Sequence, residues 1–175
     1  MTMDIETDGE RVRALASAKE DENWRFRAYL KGVDLPDAAL DRLVRRRLEE
    51  IAPRIDCCAC ANCCKVVSPL LSHKDVLRLS DCLGVEKRDL IDDYLRPSRE
   101  KGKHALAQTP CPFLRDQRCS VYDARPDDCR SFPRLHRPGF RSRLIRVIEN
   151  CSICPIVYNV LERLKSDLRG RRQRS

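Results

Sequence analysis

Apolar residues recur along the first third of the chain at spacings that suit helices. Between Glu10 and Leu30, Val12, Leu15, Ala16, Trp24, Phe26, Tyr29 and Leu30 alternate with charges at a loose helical period. Asp34-Leu35-Pro36 reads as a new helix start, with Asp34 as the cap and Pro36 near the first turn. Leu40, Leu43, Val44, Leu48 and Ile51 then form one stripe that stops at Pro53, and Arg45-Arg46-Arg47 is its wet face. A short apolar stretch, Val66 to Leu71, precedes Ser72-His73-Lys74-Asp75, which has the form of a capping box. The helix it opens turns Val76, Leu77, Leu79 and Leu83 inward and ends at Gly84. A second helix, from about Glu86 to Leu95, is closed by Pro97.

Polar residues dominate 98–109, which reads as a loop. Cys111-Pro112-Phe113-Leu114 and Cys119-Ser120-Val121-Tyr122 flank Arg115-Asp116-Gln117-Arg118 and predict a short hairpin. Arg125 to Arg130 reads as a turn, and Leu144 to Ile148 as a β-prone strand. A last helix, from about Pro155 to Leu168, sets Val157, Val160, Leu161, Leu164 and Leu168 on one face. The expected fold class is therefore α+β: a small metal-stabilised domain, mostly helical with a short β-hairpin, preceded by N-terminal helices. Its expected divisions are a helical extension over 1–53, a cysteine-rich domain over 54–168 and a basic disordered tail over 169–175. Residues 1–9 are also expected to be disordered, and no internal repeat is present.

Composition sharpens this picture in one respect. The 175 residues are 35% charged and only 5% aromatic, so the core is modest and crosslinks would help it. Eleven cysteines supply the means, none of them within the first 56 residues. Met1 to Glu10 has acidic residues and no apolar run, unlike a secretory signal. No stretch approaches the ~20 apolar residues of a membrane span. The expected location is cytoplasmic, where thiols stay reduced and clustered cysteines favour metal over disulfides. The net charge of +8 is concentrated partly in Arg169 to Arg174. Such an end is read as a solvated terminus in preference to a nucleic-acid contact.

Five thiols fall within Cys57-Cys58-Ala59-Cys60-Ala61-Asn62-Cys63-Cys64, a density that packing does not require. It provides soft thiolate ligands for a metal ion or an iron–sulfur cluster. Cys57, Cys60, Cys63 and Cys64 form a C-x2-C-x2-C-C array, and Cys111, Cys119, Cys129, Cys151 and Cys154 supply further candidates. These nine suffice for two four-thiolate sites with one thiol left over. Cys57-x2-Cys60-x2-Cys63 also matches the first three ligands of a ferredoxin-type run, but the local fourth position is Val67. Spacing does not choose between zinc and iron. Cys82 lies inside a helix and is read as a buried free thiol. A nucleophilic cysteine would need His73, His104 or His136 beside it, and nothing in the sequence places one there.

These motifs together resemble the YkgJ-type cysteine-cluster family, the CxxCxxCC zinc- or iron-chelating domains. The resemblance is carried by Cys57-x2-Cys60-x2-Cys63-Cys64, Cys111-Pro112-Phe113-Leu114, Cys119-Ser120-Val121-Tyr122 and Arg125-Pro126-x2-Cys129-Arg130-x-Phe132-Pro133. It covers roughly 57 to 155. Cys58 is an extra thiol that can substitute for Cys57, and either Cys151 or Cys154 can be the last ligand. The resemblance implies zinc or iron, as an ion or in an iron–sulfur cluster, without implying a reaction. Some relatives resemble flagellin lysine methylases, and others carry oxidoreductase labels. Three readings follow. The first is a thiolate metal-binding domain, in which Arg125 and Arg130 either serve the sulfurs or pair with Asp123, Asp127 or Asp128. The second is an iron–sulfur enzyme of oxidoreductase or protein-lysine methylase type. The third is a zinc-stabilised adaptor for nucleic acid or an acidic partner. These residues fix neither an enzymatic activity nor a protein partner.

Overall fold

A computed structural model of the chain describes residues 4–172. In chain order it contains α1 (Gly9–Ala18), α2 (Glu20–Gly32), α3 (Asp37–Ile51), α4 (Cys57–Cys60), α5 (Asn62–Val66) and β1 (Leu70–Leu71). There follow α6 (His73–Leu83), α7 (Lys87–Tyr94), β2 (Leu95–Pro97), β3 (His104–Leu106), β4 (Leu114–Arg115) and β5 (Arg118–Cys119). The chain closes with α8 (Asp127–Ser131), α9 (Leu144–Cys151) and α10 (Pro155–Arg172). The fold is mostly helical with small antiparallel sheets, as the α+β expectation has it. No helix among the described residues is long and apolar enough to cross a membrane.

Two compact units emerge, and their division is not linear in sequence. One comprises 57–132; the other joins 1–56 to 133–175. The C-terminal helices thus belong with the N-terminal ones.

In the helical unit, α10 supplies the central apolar surface. Val157, Val160, Leu161, Leu164 and Leu168 are buried, as their spacing predicts, and Ile156 and Tyr158 are buried beside them. Val12 and Ala16 of α1, Phe26 and Leu30 of α2, and Leu40, Val44 and Ile51 of α3 complete this unit's core. Arg47 leaves the expected wet face and makes a two-pronged ion pair with Asp167, at 2.7 and 2.5 Å, that ties α3 to α10.

Several local expectations are corrected here. Helix α3 starts at Asp37 behind Pro36, so Asp34 is not its cap. Residues 144–148 are helical, not a strand. Leu144, Val147, Ile148 and Cys151 are buried at helical spacing while Ile145 is 48% exposed, and tertiary burial of that stripe outweighs the β-branched composition. Helix α10 continues through Arg172, into the segment expected to be a disordered tail. Met1 to Met3 and 173–175 lie outside the described residues, but the chain just after Met3 is tethered: the Glu6 amide donates to Asn159 Oδ1 at 3.1 Å, and Asn159 Nδ2 donates back to the Glu6 carbonyl at 2.7 Å.

In the cysteine-rich unit, Ser72 and Asp75 form the predicted capping box, and Gly84 ends α6 in the left-handed region at φ 65°. Leu71, Val76, Leu79, Leu90, Leu95, Leu106, Phe113, Val121 and Ala124 make the unit's core, with Cys111 and Cys119 packed against its edge. The sheet order is β1-β3-β2, with Leu70 opposite Ala105 and Leu95 opposite Leu106. Strand β3 lies within the stretch expected to be a loop. Three residues carry too short a pattern to read, and pairing on both sides makes them a strand. The hairpin is present as β4–β5, and Asp116 and Gln117 both adopt positive φ, which the turn between such short strands requires. Cys82 is exposed, not buried, because it lies about a quarter-turn from the Val76–Leu79–Ser80 face of α6.

Candidate metal centre

The cysteine array folds as two single helical turns, α4 and α5, hinged at Ala61. Ala61 adopts φ 45°, an unusual left-handed conformation for a residue with a Cβ, and its side chain is 3% exposed. The kink keeps Cys57–Cys60 and Cys63–Cys64 on separate turns instead of one continuous helix. A backbone bond stitches the array to the hairpin, since the Cys111 amide donates to the Cys64 carbonyl at 2.8 Å. Helix α4 packs against β5, which carries Cys119.

Cys64 is electrostatically coupled to Cys111, Cys119 and Cys129, and Cys119 also to Cys58. A hydrogen bond with Cys63, then burial, push the Cys64 thiol far above the ordinary range. Burial is the first cause for Cys129, raised to about 12, with Cys64, Cys111 and Cys119 adding to it. Burial also raises Cys111 and Cys119, but backbone amides aim at both sulfurs and oppose the rise: those of Phe113 and Leu114 at Cys111, and that of Val121 at Cys119. Amide-to-sulfur bonds favour the thiolate that a metal needs.

Cys129 sits on α8, which is held to α6 by a carboxylate clamp. The Asp75 carboxylate accepts from the Ser72 hydroxyl at 2.6 Å, the Ser72 amide at 2.8 Å and the Asp127 amide at 3.0 Å. Arg78 pairs with Asp75 at 2.5 Å and with Asp127 at 2.9 Å, and donates to the Arg125 carbonyl at 3.0 Å. This clamp was not singled out from the sequence, although Arg78 stands three residues after the capping-box Asp75 and so shares its face. Arg130 serves neither sulfur nor carboxylate: it donates to the carbonyls of Asp123 and Arg125. Asp128 accepts from the Leu70 amide at 3.1 Å.

Cys57 is exposed, and Cys58, Cys60 and Cys63 are half-buried. Cys151 and Cys154 are buried in the helical unit. Burial raises Cys151 to about 12, and its charged surroundings are Glu162, Lys165 and Lys19. None of the eleven cysteines is in a disulfide. Among the described residues no group of three or more His, Cys, Asp or Glu side chains stands in a metal-holding arrangement. In kind and number, however, the donors suit a thiophilic ion: Cys64, Cys111, Cys119 and Cys129 are electrostatically coupled, and ionised sulfurs so coupled repel unless a cation offsets them.

The chain belongs to the CxxCxxCC family, described as a putative zinc- or iron-chelating domain, whose model matches residues 56–155. No curated protein and no solved structure matches it.

Proposed function

We propose that this protein holds zinc or iron, the latter as an iron–sulfur cluster, through clustered thiolates in a reducing, cytoplasmic setting. Cys64, Cys111, Cys119 and Cys129 are the core donors, and their shared neighbourhood with amides aimed at two of the sulfurs carries the reading. Cys57, Cys60 and Cys63 are adjacent donors on the hinged turns, with Cys58 able to replace Cys57. Cys151 and Cys154 enter on the family match, which runs to residue 155. The bound metal would supply charge to hold the thiolates together. The chain's part is to aim amides at the sulfurs, to bury Cys111 and Cys119 against a hydrophobic edge, and to release thiol protons on loading.

The nucleic-acid reading is not taken up. Several arginines behind the positive charge are engaged inside their own units: Arg47 with Asp167, Arg78 with Asp75, Arg141 with Asp37, and Arg143 with the Arg134 carbonyl.

The test is anaerobic purification followed by metal and sulfide analysis and a visible spectrum on one sample. Zinc without colour makes the site structural. Iron with sulfide and a broad band near ~400 nm, as thiolate-bound clusters give, moves the reading to redox or group-transfer chemistry. A chain that retains neither metal, and takes up neither on reconstitution, overturns the proposal.

A further inference from the structure

We propose that a cavity between α2 and α10 of the helical unit binds a small aromatic carboxylate, its ring laid against Phe26 and Tyr29 and its charge held by Arg25 and Arg169. The inference is independent of the metal reading, since none of these residues is a candidate ligand.

The cavity measures about 390 Å³ and is lined by Glu22, Arg25, Phe26, Tyr29, Leu168 and Arg169. That volume lies in the range of small-molecule pockets, where an apolar wall is joined by a few polar groups that fix orientation. Phe26 and Tyr29, one helical turn apart on α2, present rings 6.0 Å apart and 19° from parallel, and Leu168 adds an aliphatic surface. A flat apolar body suits such a wall.

The polar lining is short of negative charge. Glu22 is already claimed twice: it pairs with Arg169 and lies 3.5 Å from the Nζ of Lys165, a residue 3% exposed. Behind it, Glu162 takes Lys165 at 2.6 Å and Lys19 at 2.7 Å. Two carboxylates thus serve three cations before Arg25 is added. Arg25 itself makes no hydrogen bond or ion pair among the described residues. Asp21 stands four residues before it, the spacing of a helical ion pair, yet the two do not pair and Arg25 lines the cavity instead. Arg169 donates to Glu22 through Nη2, and a guanidinium carries five N–H groups, so donors remain for a ligand. Two guanidinium groups beside an aromatic wall match a ligand with a ring at one end and a carboxylate at the other.

The experiment is equilibrium dialysis of the full, reduced chain against 2-naphthoate, with 2-naphthamide, inorganic phosphate and polyglutamate as comparison probes. The naphthoate should bind saturably at a single site, and the neutral amide about tenfold more weakly, the loss expected of one charge-assisted contact. Arg25→Gln and Arg169→Gln should each weaken naphthoate binding by about tenfold on the same ground. Arg45→Gln, which removes an exposed charge from α3, should bind as the wild type does. Tyr29→Ala should weaken both naphthalene probes alike. Circular dichroism separates loss of fold from loss of affinity. If Tyr29→Ala does not fold, phosphate carries the ring test, since it should bind far more weakly than naphthoate. Absence of saturable naphthoate binding up to about 1 mM overturns the proposal. Wild-type affinity in either cavity-arginine variant, or an equal loss in Arg45→Gln, also overturns it. Equal binding of the amide removes the carboxylate from the assignment, and equal binding of phosphate removes the ring. Polyglutamate binding without naphthoate binding gives the face to an acidic protein. Each of these three results overturns the proposal as stated.

Discussion

Replacing Asp75 by alanine isolates the device that carries Cys129 to the other thiols. The carboxylate is 2% exposed and accepts from the Ser72 amide and hydroxyl, the Asp127 amide and Arg78. Loss of the helix-capping half costs about 1 kcal/mol, within the usual range for caps. The half that crosses to α8 is a hydrogen bond to a charged acceptor, worth about 1.5–3 kcal/mol. Water reaches Arg78 and the Asp127 side chain, so the lower end of that range is used, and the sum is about 2.5 kcal/mol. Burial alone would raise the Asp75 pKa, but the Ser72 donors, the Asp127 amide and Arg78 lower it below 3.8. A depressed carboxylate contributes its stability above the unfolded value and loses it as pH falls through the folded one. The deficit of Asp75→Ala should therefore be full at neutral pH and shrink below about pH 4. Urea unfolding at several pH values measures it, with hydrogen exchange in α6 and α8 locating the effect. A loss under about 1 kcal/mol at pH 7, or one unchanged at pH 3, would refute the clamp as drawn.

Other outcomes follow from the same geometry. Cys64→Ser should lower the metal retained per chain, whereas Cys82→Ser, at an exposed position on α6, should leave it unchanged; metal analysis of the two purified variants decides. Glu162→Ala removes the carboxylate 2.6 Å from Lys165, which is 3% exposed, and 2.7 Å from Lys19. Lys165 keeps only its longer 3.5 Å pair with Glu22, so the loss should approach the about 3–5 kcal/mol of breaking a buried pair, readable by thermal or chemical unfolding. Gly84→Ala meets no neighbour within 4 Å, so its cost should come from positive φ alone, about 1 kcal/mol, in the same assay. Ile148→Arg should destabilise the helical unit far more than Ile145→Arg, the contrast expected of a helix face and seen as a large difference in melting temperature.

Much of the site was legible because thiols have few structural reasons to cluster. Cys57 to Cys64, Cys111, Cys119 and Cys129 all fall in one compact unit, and their residue types and spacings were plain in the sequence. The capping box at Ser72, the stop at Gly84 and the stripe on α10 were also readable, since each depends on neighbours within one or two turns. The Asp75–Arg78–Asp127 clamp and the stacking of Arg125 on Tyr122 were not read, because the clamp spans 52 residues and no local pattern predicts whether an arginine will meet a carboxylate, a carbonyl or a ring.

Residues 144–148 and strand β3 show where local pattern gives way. β-branched residues favour a strand only while the partner surface is unspecified; in the helical unit the stripe from Leu144 to Cys151 is buried and the same residues coil. His104 to Leu106 reverse the case, three residues made a strand by partners on both sides. The sequence alone thus determined where the thiols cluster, the start and stop of α6, and the family. The tertiary structure decided that the C-terminal helices join the N-terminal ones, that Cys82 faces outward, and that Arg125 stands over Tyr122. The physical reason is range: caps, turns and ligand types act within a few residues, while burial and charge pairing depend on surfaces that distant segments complete.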